Sequence, residues 1–258
     1  MIIEVLISTL NEGIKNIKLE TGDVSYLIVH QVTNGRDEEY KEYFSRVQSL
    51  HSVNIRYKQM NVKGLSKSRN FAIKHSIGDI LWILDDDVSL LKNSSHYIRE
   101  EFSKADIDLL IVSHSDVERS SDIEYKKLNL FNSASVSSID ICIKKTALED
   151  KLWFDCSFGL GTKLPSGEEY IFITDCLKNG LKILKTNKIC SLHPLEASGI
   201  DFYSSFERVN AKYQMMKRIF PNLGWCLFIL FCLKKSGYVL RKGHLYNFFR
   251  FAVKSLIK

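Results

Sequence analysis

Short, continuous apolar runs alternate with amphipathic stretches along most of the chain. Ile2 to Ser8 reads as a buried strand, and Thr9-Leu10-Asn11-Glu12 as a polar turn that opens a short helix. Tyr26 to Val32 predicts a second strand ending in Thr33-Asn34-Gly35, followed by a charged helix from Asp37 to Leu50. A third strand is expected at Val53 to Tyr57, a helix at Gly64 to Ser76 and a fourth strand at Ile80 to Leu84. Beyond it the pattern predicts a helix around His96 to Ser103 and strands at Ile107 to Val112 and Ser137 to Ile143. A glycine-rich loop, Phe158 to Thr162, leads through Pro165-Ser166-Gly167 into a helix from Glu168 to Lys178, which Asn179-Gly180 stops. A strand pair, Lys182 to Leu184 and Lys188 to Leu192, precedes His193-Pro194. Strands alternating with helices imply right-handed βαβ units, hence an α/β fold with a mostly parallel central sheet flanked by helices.

The fourth strand ends in an unusual way. Its apolar run empties into Asp85-Asp86-Asp87. Like charges a few ångströms apart repel by about 1 kcal/mol even in water. A solvated acidic turn would tolerate the three, but a run buried on both faces suggests a central parallel strand, and ligands in open α/β sheets bind at the carboxyl ends of such strands. A hard divalent cation would resolve the repulsion: Mg²⁺ commonly uses one or two carboxylates together with substrate phosphates. A metal-bound diphosphate substrate is therefore expected.

At 258 residues with 45% hydrophobic content, the chain suffices for one large domain with an appendage. Three prolines and no low-complexity tract leave no evident linker. Residues 1–200 are expected to form the catalytic domain and residues 201–258 a helical extension. Charge separates the two parts. Residues 207–258 carry eleven Lys or Arg against Glu207 alone, a surplus of ten, so the chain's +6 leaves residues 1–206 at −4. Six dispersed cysteines without metal-ligand spacing suggest reduced thiols, and Met1-Ile2-Ile3-Glu4 lacks the basic start of a secretory signal, so a cytoplasmic setting is expected.

Laid end to end, several segments resemble a family-two glycosyltransferase of the GT-A type. They are Ser8-Thr9-Leu10-Asn11-Glu12, Gly64-Leu65-Ser66-Lys67-Ser68-Arg69-Asn70, Gly78-Asp79, Asp85-Asp86-Asp87, and Phe154-Asp155 followed by Gly159, Gly161 and Gly167-Glu168-Glu169. The resemblance covers about residues 1–200. It implies that Thr9, Asn11 and Glu12 form a nucleotide-binding lip, that Gly64, Ser66 and Arg69 lie near the donor, and that Asp85 and Asp86 face the nucleotide. It implies further that Asp87 is a ligand of Mn²⁺ or Mg²⁺, with His193 as a second ligand or else an ordinary histidine before a proline. Glu169 aligns with the catalytic base. Ser166-Gly167-Glu168-Glu169 also fits a capping box in which Glu169 reaches back to the Ser166 amide, leaving Glu168 as the base. The second strand ends in Gln31-Val32-Thr33-Asn34 where the family commonly places an acidic pair, so Gln31 is expected to take part in nucleotide binding. No Gln-x-x-Arg-Trp motif follows, which argues against a processive polymerase.

The expected activity is inverting, metal-dependent transfer of a sugar from a nucleotide diphosphate of the UDP type to a hydroxyl of a glycan or lipid-linked acceptor, with bacterial surface-polysaccharide synthesis as the setting it suggests. Two rivals stay open: a nucleotidyltransferase, which would want a basic glycine-rich phosphate loop that is missing here, and a non-catalytic module that binds a nucleotide sugar. Gly159-x-Gly161 lacks a third glycine for a dinucleotide fingerprint, and Ser113-His114-Ser115-Asp116 lacks a nucleophile elbow. In the tail, Leu223 to Leu233 is too short to span a bilayer, which needs about 20 residues. It reads either as a buried helix or, with the aromatic and basic residues of Tyr238 to Lys258, as an interfacial one on the anionic inner face of a membrane. Nucleic acid is not an expected partner, since no binding motif accompanies the basic residues.

Overall fold

The computed structural model describes residues 1–20, 23–119, 122–148, 151–194 and 201–257. The first half is built of β1 (Ile3–Leu10), β2 (Ser25–Gln31), α1 (Asp37–Leu50), β3 (Ile55–Met60), α2 (Leu65–His75) and β4 (Ile80–Asp85). A short 3₁₀ helix, Asn11–Asn16, follows β1. Then come β5 (Ser89–Leu90), α3 (Ser94–Lys104), β6 (Leu109–Ser115), β7 (Tyr125–Lys127), β8 (Ile141–Lys144), α4 (Lys145–Leu148), α5 (Glu168–Lys178) and β9 (Ile183–Leu192). Three helices close the chain: α6 (Phe206–Ile219), α7 (Gly224–Arg241) and α8 (Leu245–Ile257). The domain boundary expected after residue 200 abuts residues 195–200, which lie outside the described residues.

The strands form one sheet in the order β3-β2-β1-β4-β8-β6-β9-β5, with β7 paired to β9. The β3-β2-β1-β4 block and the β6–β9 pair are parallel; β8 runs antiparallel between β4 and β6. Strand order turns back between β1 and β4, where Ser8 lies opposite Asp85. A crevice outside the carboxyl ends of two strands at such a reversal is where open α/β sheets bind ligands.

Burial explains why β4 is apolar from Ile80 to Leu84. Ile80, Trp82 and Leu84 enter one hydrophobic layer with Ile3, Val5 and Phe102, while Leu81 and Ile83 enter the opposite layer with Leu6, Phe154 and Phe172. Successive side chains point to opposite faces of a sheet, so both faces are covered and no polar position survives before Asp85. Its start is tied to β1 by the Asp79 carboxylate, which accepts from the Ile2 amide at 2.7 Å.

Sequence and structure differ at identifiable places. The predicted strand pair near residues 182–192 is the single ten-residue β9, because Thr186 is buried inside the sheet instead of turning it, and a register shift against β6 absorbs the irregularity. The strand expected at Ser137 to Ile143 begins as a 3₁₀ turn, Ser138–Asp140, and only then becomes β8. The apolar run at Leu223 to Leu233 is part of the longer α7, which packs on α6 and α8 around Phe202, Tyr213, Phe228 and Phe248. A smaller cluster of Phe158, Ile171, Met215 and Ile219 docks α6 against α5. Among the described residues, no helix is long and apolar enough to cross a membrane.

Candidate functional site

The β1 and β4 ends bring the acid triplet under the turn after β1. Thr9 donates its hydroxyl to the Asp86 carboxylate at 2.5 Å. Burial pushes the Asp86 carboxyl up to about 6; the Thr9 hydrogen bond works against that, and the charges of Asp85 and Asp87 add to it. Asp85 is held differently. Its carboxylate accepts from Arg69 Nη2 of α2 at 2.9 Å. Asp87, the most exposed of the three, faces His193, with 3.5 Å between Oδ1 and Nε2. That meeting depends on the two-residue β5, which pairs Ser89 with Leu192 and so clamps the end of the acid loop to the end of β9. The His193 amide then donates to the Ser115 carbonyl at 2.9 Å.

Arg69 is buried and organises the centre. Besides Asp85 its guanidinium donates to Ser138 Oγ at 2.7 Å and to Glu168 Oε1 at 3.3 Å, and it lies 4.0 Å from Glu169. The cation also sits over the Phe154 ring, 5.5 Å from its centroid. Three carboxylates thus share one guanidinium.

The two glutamates at the start of α5 live in different surroundings. The Glu168 side chain is 4% exposed and that of Glu169 26%. Burial first, then the neighbouring Glu169 charge, pushes the Glu168 carboxyl up to about 8 despite Arg69. Its Oε2 has no hydrogen-bond partner among the described residues. These surroundings favour the protonated form of Glu168, which leaves Arg69 to balance Asp85 and Glu169. The capping box does not form. Gly167, at φ 104°, caps the helix without a side-chain bond, and the Ser166 amide donates to the Leu164 carbonyl at 2.9 Å. A Cβ on Gly167 would collide with Met215 of α6, so the left-handed backbone and the close approach both require glycine there.

A cavity of about 630 Å³ joins Thr9, Gln31, Asp85, Asp86, Asp87, Glu169 and His193. The other expected site residues do not line it. Asn11, with φ 47°, accepts the Thr33 amide on its side chain and His30 Nε2 on its carbonyl, fixing the turn after β1. Glu12 pairs with Lys15, Arg36 and Tyr40 and ties that turn to α1. The Gly64 amide donates to Gln31 Oε1 at 2.7 Å, and the buried Ser66 hydroxyl to the Phe158 carbonyl at 2.7 Å. Both stitch the start of α2 to neighbouring walls.

Residues not singled out as site candidates also line the cavity, among them Lys63, His114, Asp116 and Ser137. His114 Nδ1 is 2.9 Å from the buried Asp140 carboxylate, and its ring stands edge-on to His193 with centroids 5.7 Å apart. The hydrogen bond to Asp140 raises the His114 pKa against the effect of burial. A position at the carboxyl end of a sheet strand was the available signal for His114.

Among the described residues, no three His, Cys, Asp or Glu side chains lie together as a metal cluster. The donor set is still compatible with a hard divalent ion. Asp87 and His193 offer an oxygen and a nitrogen to one cavity from two braced elements, and Mg²⁺-type sites normally complete their shell with substrate phosphates and water.

A sheet reversal crowned by acidic side chains, with a glutamate lining the same cavity, is the architecture of a GT-A-like α/β fold. The profile of Glycosyl transferase family 2 matches residues 8–160, and the chain belongs to that family. Solved structures share the fold at low identity. Staphylococcus aureus TarS 1–349 in complex with UDP is 15% identical with a TM-score of 0.58, over 85% of this chain and 64% of that one, so this chain spans less than two thirds of its length. TarS 1–349 in complex with UDP-GlcNAc is 13% identical with a TM-score of 0.58, over 98% and 90% of the two chains. The mannosyltransferase PcManGT from Pyrobaculum calidifontis, in complex with GDP-Man and Mn²⁺, is 12% identical with a TM-score of 0.59, over 98% and 86%. No curated protein sequence matches the chain.

Proposed function

We propose that the protein is an inverting glycosyltransferase that moves a sugar from a nucleoside diphosphate of the UDP type to a hydroxyl on a glycan or lipid-linked acceptor. The observation that carries this reading is one cavity lined by both Asp85, Asp86 and Asp87 and Glu169. Nucleotide diphosphates and nucleotide sugars in the TarS and PcManGT structures support the donor class.

Thr9, Gln31, Asp85 and Asp86 take the nucleotide side of the cavity. Asp87 and His193 would hold Mn²⁺ or Mg²⁺, which when bound neutralises charge on the leaving diphosphate. Glu169 accepts the acceptor's hydroxyl proton. The freed oxygen bonds to the anomeric carbon on the face opposite the diphosphate, while the bond from that carbon to the phosphate oxygen breaks and its electron pair leaves with the nucleoside diphosphate. One displacement inverts the centre. Glu168 is poorly suited as the base because it is buried and its surroundings favour the protonated form. Positioned base catalysis typically contributes 10²- to 10⁴-fold.

The test is thermal stabilisation by a panel of UDP- and GDP-sugars with and without Mn²⁺, since a ligand of the native state raises stability by RT ln(1 + [L]/Kd). Stabilisation by one donor is expected to require the ion and to vanish in Asp87→Asn, whose half-exposed side chain makes no large contribution to the fold. Ion-independent binding that Asp87→Asn leaves unchanged would overturn the assignment.

A further inference from the structure

A second cavity, of about 700 Å³, adjoins the first, and Asp85, Leu160 and Glu169 line both. It lies between the start of α5 and the helices α6 and α7. Its character is different. Met215, Met216, Phe220, Leu227 and Phe231 give it apolar walls, and two lysines, Lys212 of α6 and Lys234 of α7, punctuate them. Lys212 is partly buried and makes no hydrogen bond or ion pair with any described residue. Burial depresses its pKa, opposed first by the charge of Glu169, so the ammonium sits within electrostatic reach of the proposed base.

The outer side of α7 continues the apolar surface. Trp225, Leu230, Leu233 and Leu240 are each more than half exposed, and Leu230 also lines the cavity. Lys234, Lys235, Arg241 and Lys242 accompany them. An apolar helix face with basic flanks suits the boundary of an anionic bilayer.

We propose that this second cavity is the acceptor site and that the acceptor hydroxyl is carried on a phosphorylated lipid. The hydroxyl points to Glu169, the phosphate lies at Lys212 and Lys234, and the hydrocarbon follows the Met216, Phe231 and Leu230 wall onto the outer face of α7. This rests on the donor-site reading above. A neutral glycan fits the same walls less well: Ser135, Ser137 and Ser166 would serve hydroxyls near Glu169, but the stretch of Met216, Leu227 and Phe231 would bury others without partners and leave the Lys212 ammonium unpaired. An anion beside Lys212 and a chain along the wall satisfy both.

Farnesyl phosphate titrated into the full chain tests the proposal, with farnesol and inorganic phosphate as comparators and UDP with Mn²⁺ measured separately. Farnesyl phosphate is expected to bind about tenfold or more tightly than farnesol, a difference of about 1.4 kcal/mol, and inorganic phosphate not measurably at the same concentration. Lys212→Met should reduce farnesyl phosphate to the affinity of farnesol while UDP binding is kept, and Lys234→Gln should weaken it in the same direction. Leu230→Asp should weaken both lipids. Equal affinity for farnesol and farnesyl phosphate, binding of inorganic phosphate alone, or an unchanged affinity in both lysine variants overturns the proposal. UDP binding without farnesyl phosphate binding removes this inference only, whereas the reverse removes the donor reading and leaves the lipid site standing.

Discussion

Replacing Glu168 by Gln separates the two glutamates of α5 and reads out the buried proton directly. The folded protein holds that proton up to about pH 8, whereas the unfolded chain releases it near 4.5. Folding therefore takes up a proton between those limits, and stability falls as pH rises through the interval. One proton gives a slope of about 1.4 kcal/mol per pH unit where the two states differ fully, fading above about 8 once both are ionised. The Gln side chain imitates the protonated acid, so Glu168→Gln should remove that slope and be more stable than the wild type at about pH 8.5. At low pH the two should agree within about 1–2 kcal/mol, the scale of one altered buried hydrogen bond. Urea unfolding at pH values spaced from about 5 to 9 measures this, and UDP release at pH 7 gives the catalytic half. Glu168→Gln should keep turnover within about tenfold, while Glu169→Gln should lose about 10² or more in kcat with donor affinity retained. Glu169→Gln also deletes the charge that helps keep Glu168 protonated, so its stability slope should end at lower pH than in the wild type. An unchanged slope in Glu168→Gln, or turnover lost there and kept in Glu169→Gln, refutes the assignment.

Arg69→Met should destabilise by about 3–5 kcal/mol, the usual cost of removing one partner from a buried ion pair, and Arg69→Lys should recover little because a compact ammonium does not reproduce the planar fork whose two terminal nitrogens reach Glu168 on one side and Asp85 and Ser138 on the other; urea unfolding at pH 7 checks both. The full chain should sediment with anionic vesicles at low salt and release as salt rises, since each Lys or Arg near the surface contributes about 1 kcal/mol; Trp225→Asp with Leu233→Asp should weaken this without loss of UDP binding. A chain cut at Ser236 is the wrong probe for that question, because it divides α7 and, by removing Val239, Phe248 and Ala252, uncovers Phe202, Tyr213 and Phe228.

Local features were legible where one rule dominated. The acid triplet stood out because β4 is buried on both faces, leaving its end as the first place a charge can appear. Helix α1 ran from Asp37 to Leu50 and α5 from Glu168 to Lys178 as their flanking polar residues indicated. What the sequence concealed were meetings between distant segments. His114 and Asp140 come together because β8 inserts antiparallel beside β6, and Asp87 reaches His193 only through β5, too short to carry a periodic signal. Arg69 stands in a motif that puts it near the donor, and its links to Asp85, Ser138 and Glu168 carried no signal in the sequence.

The shared guanidinium also bears on how this site can change over generations. Asp85, Glu168 and Glu169 draw on the same positive charge, so neutralising any one redistributes the pull on the other two and alters the proton held at Glu168. Substitutions at these positions are then epistatic: residues in one network typically show coupling energies of about 0.5–3 kcal/mol. A replacement harmless beside one partner becomes costly beside another, and the three acids with Arg69 drift as a unit or hardly at all.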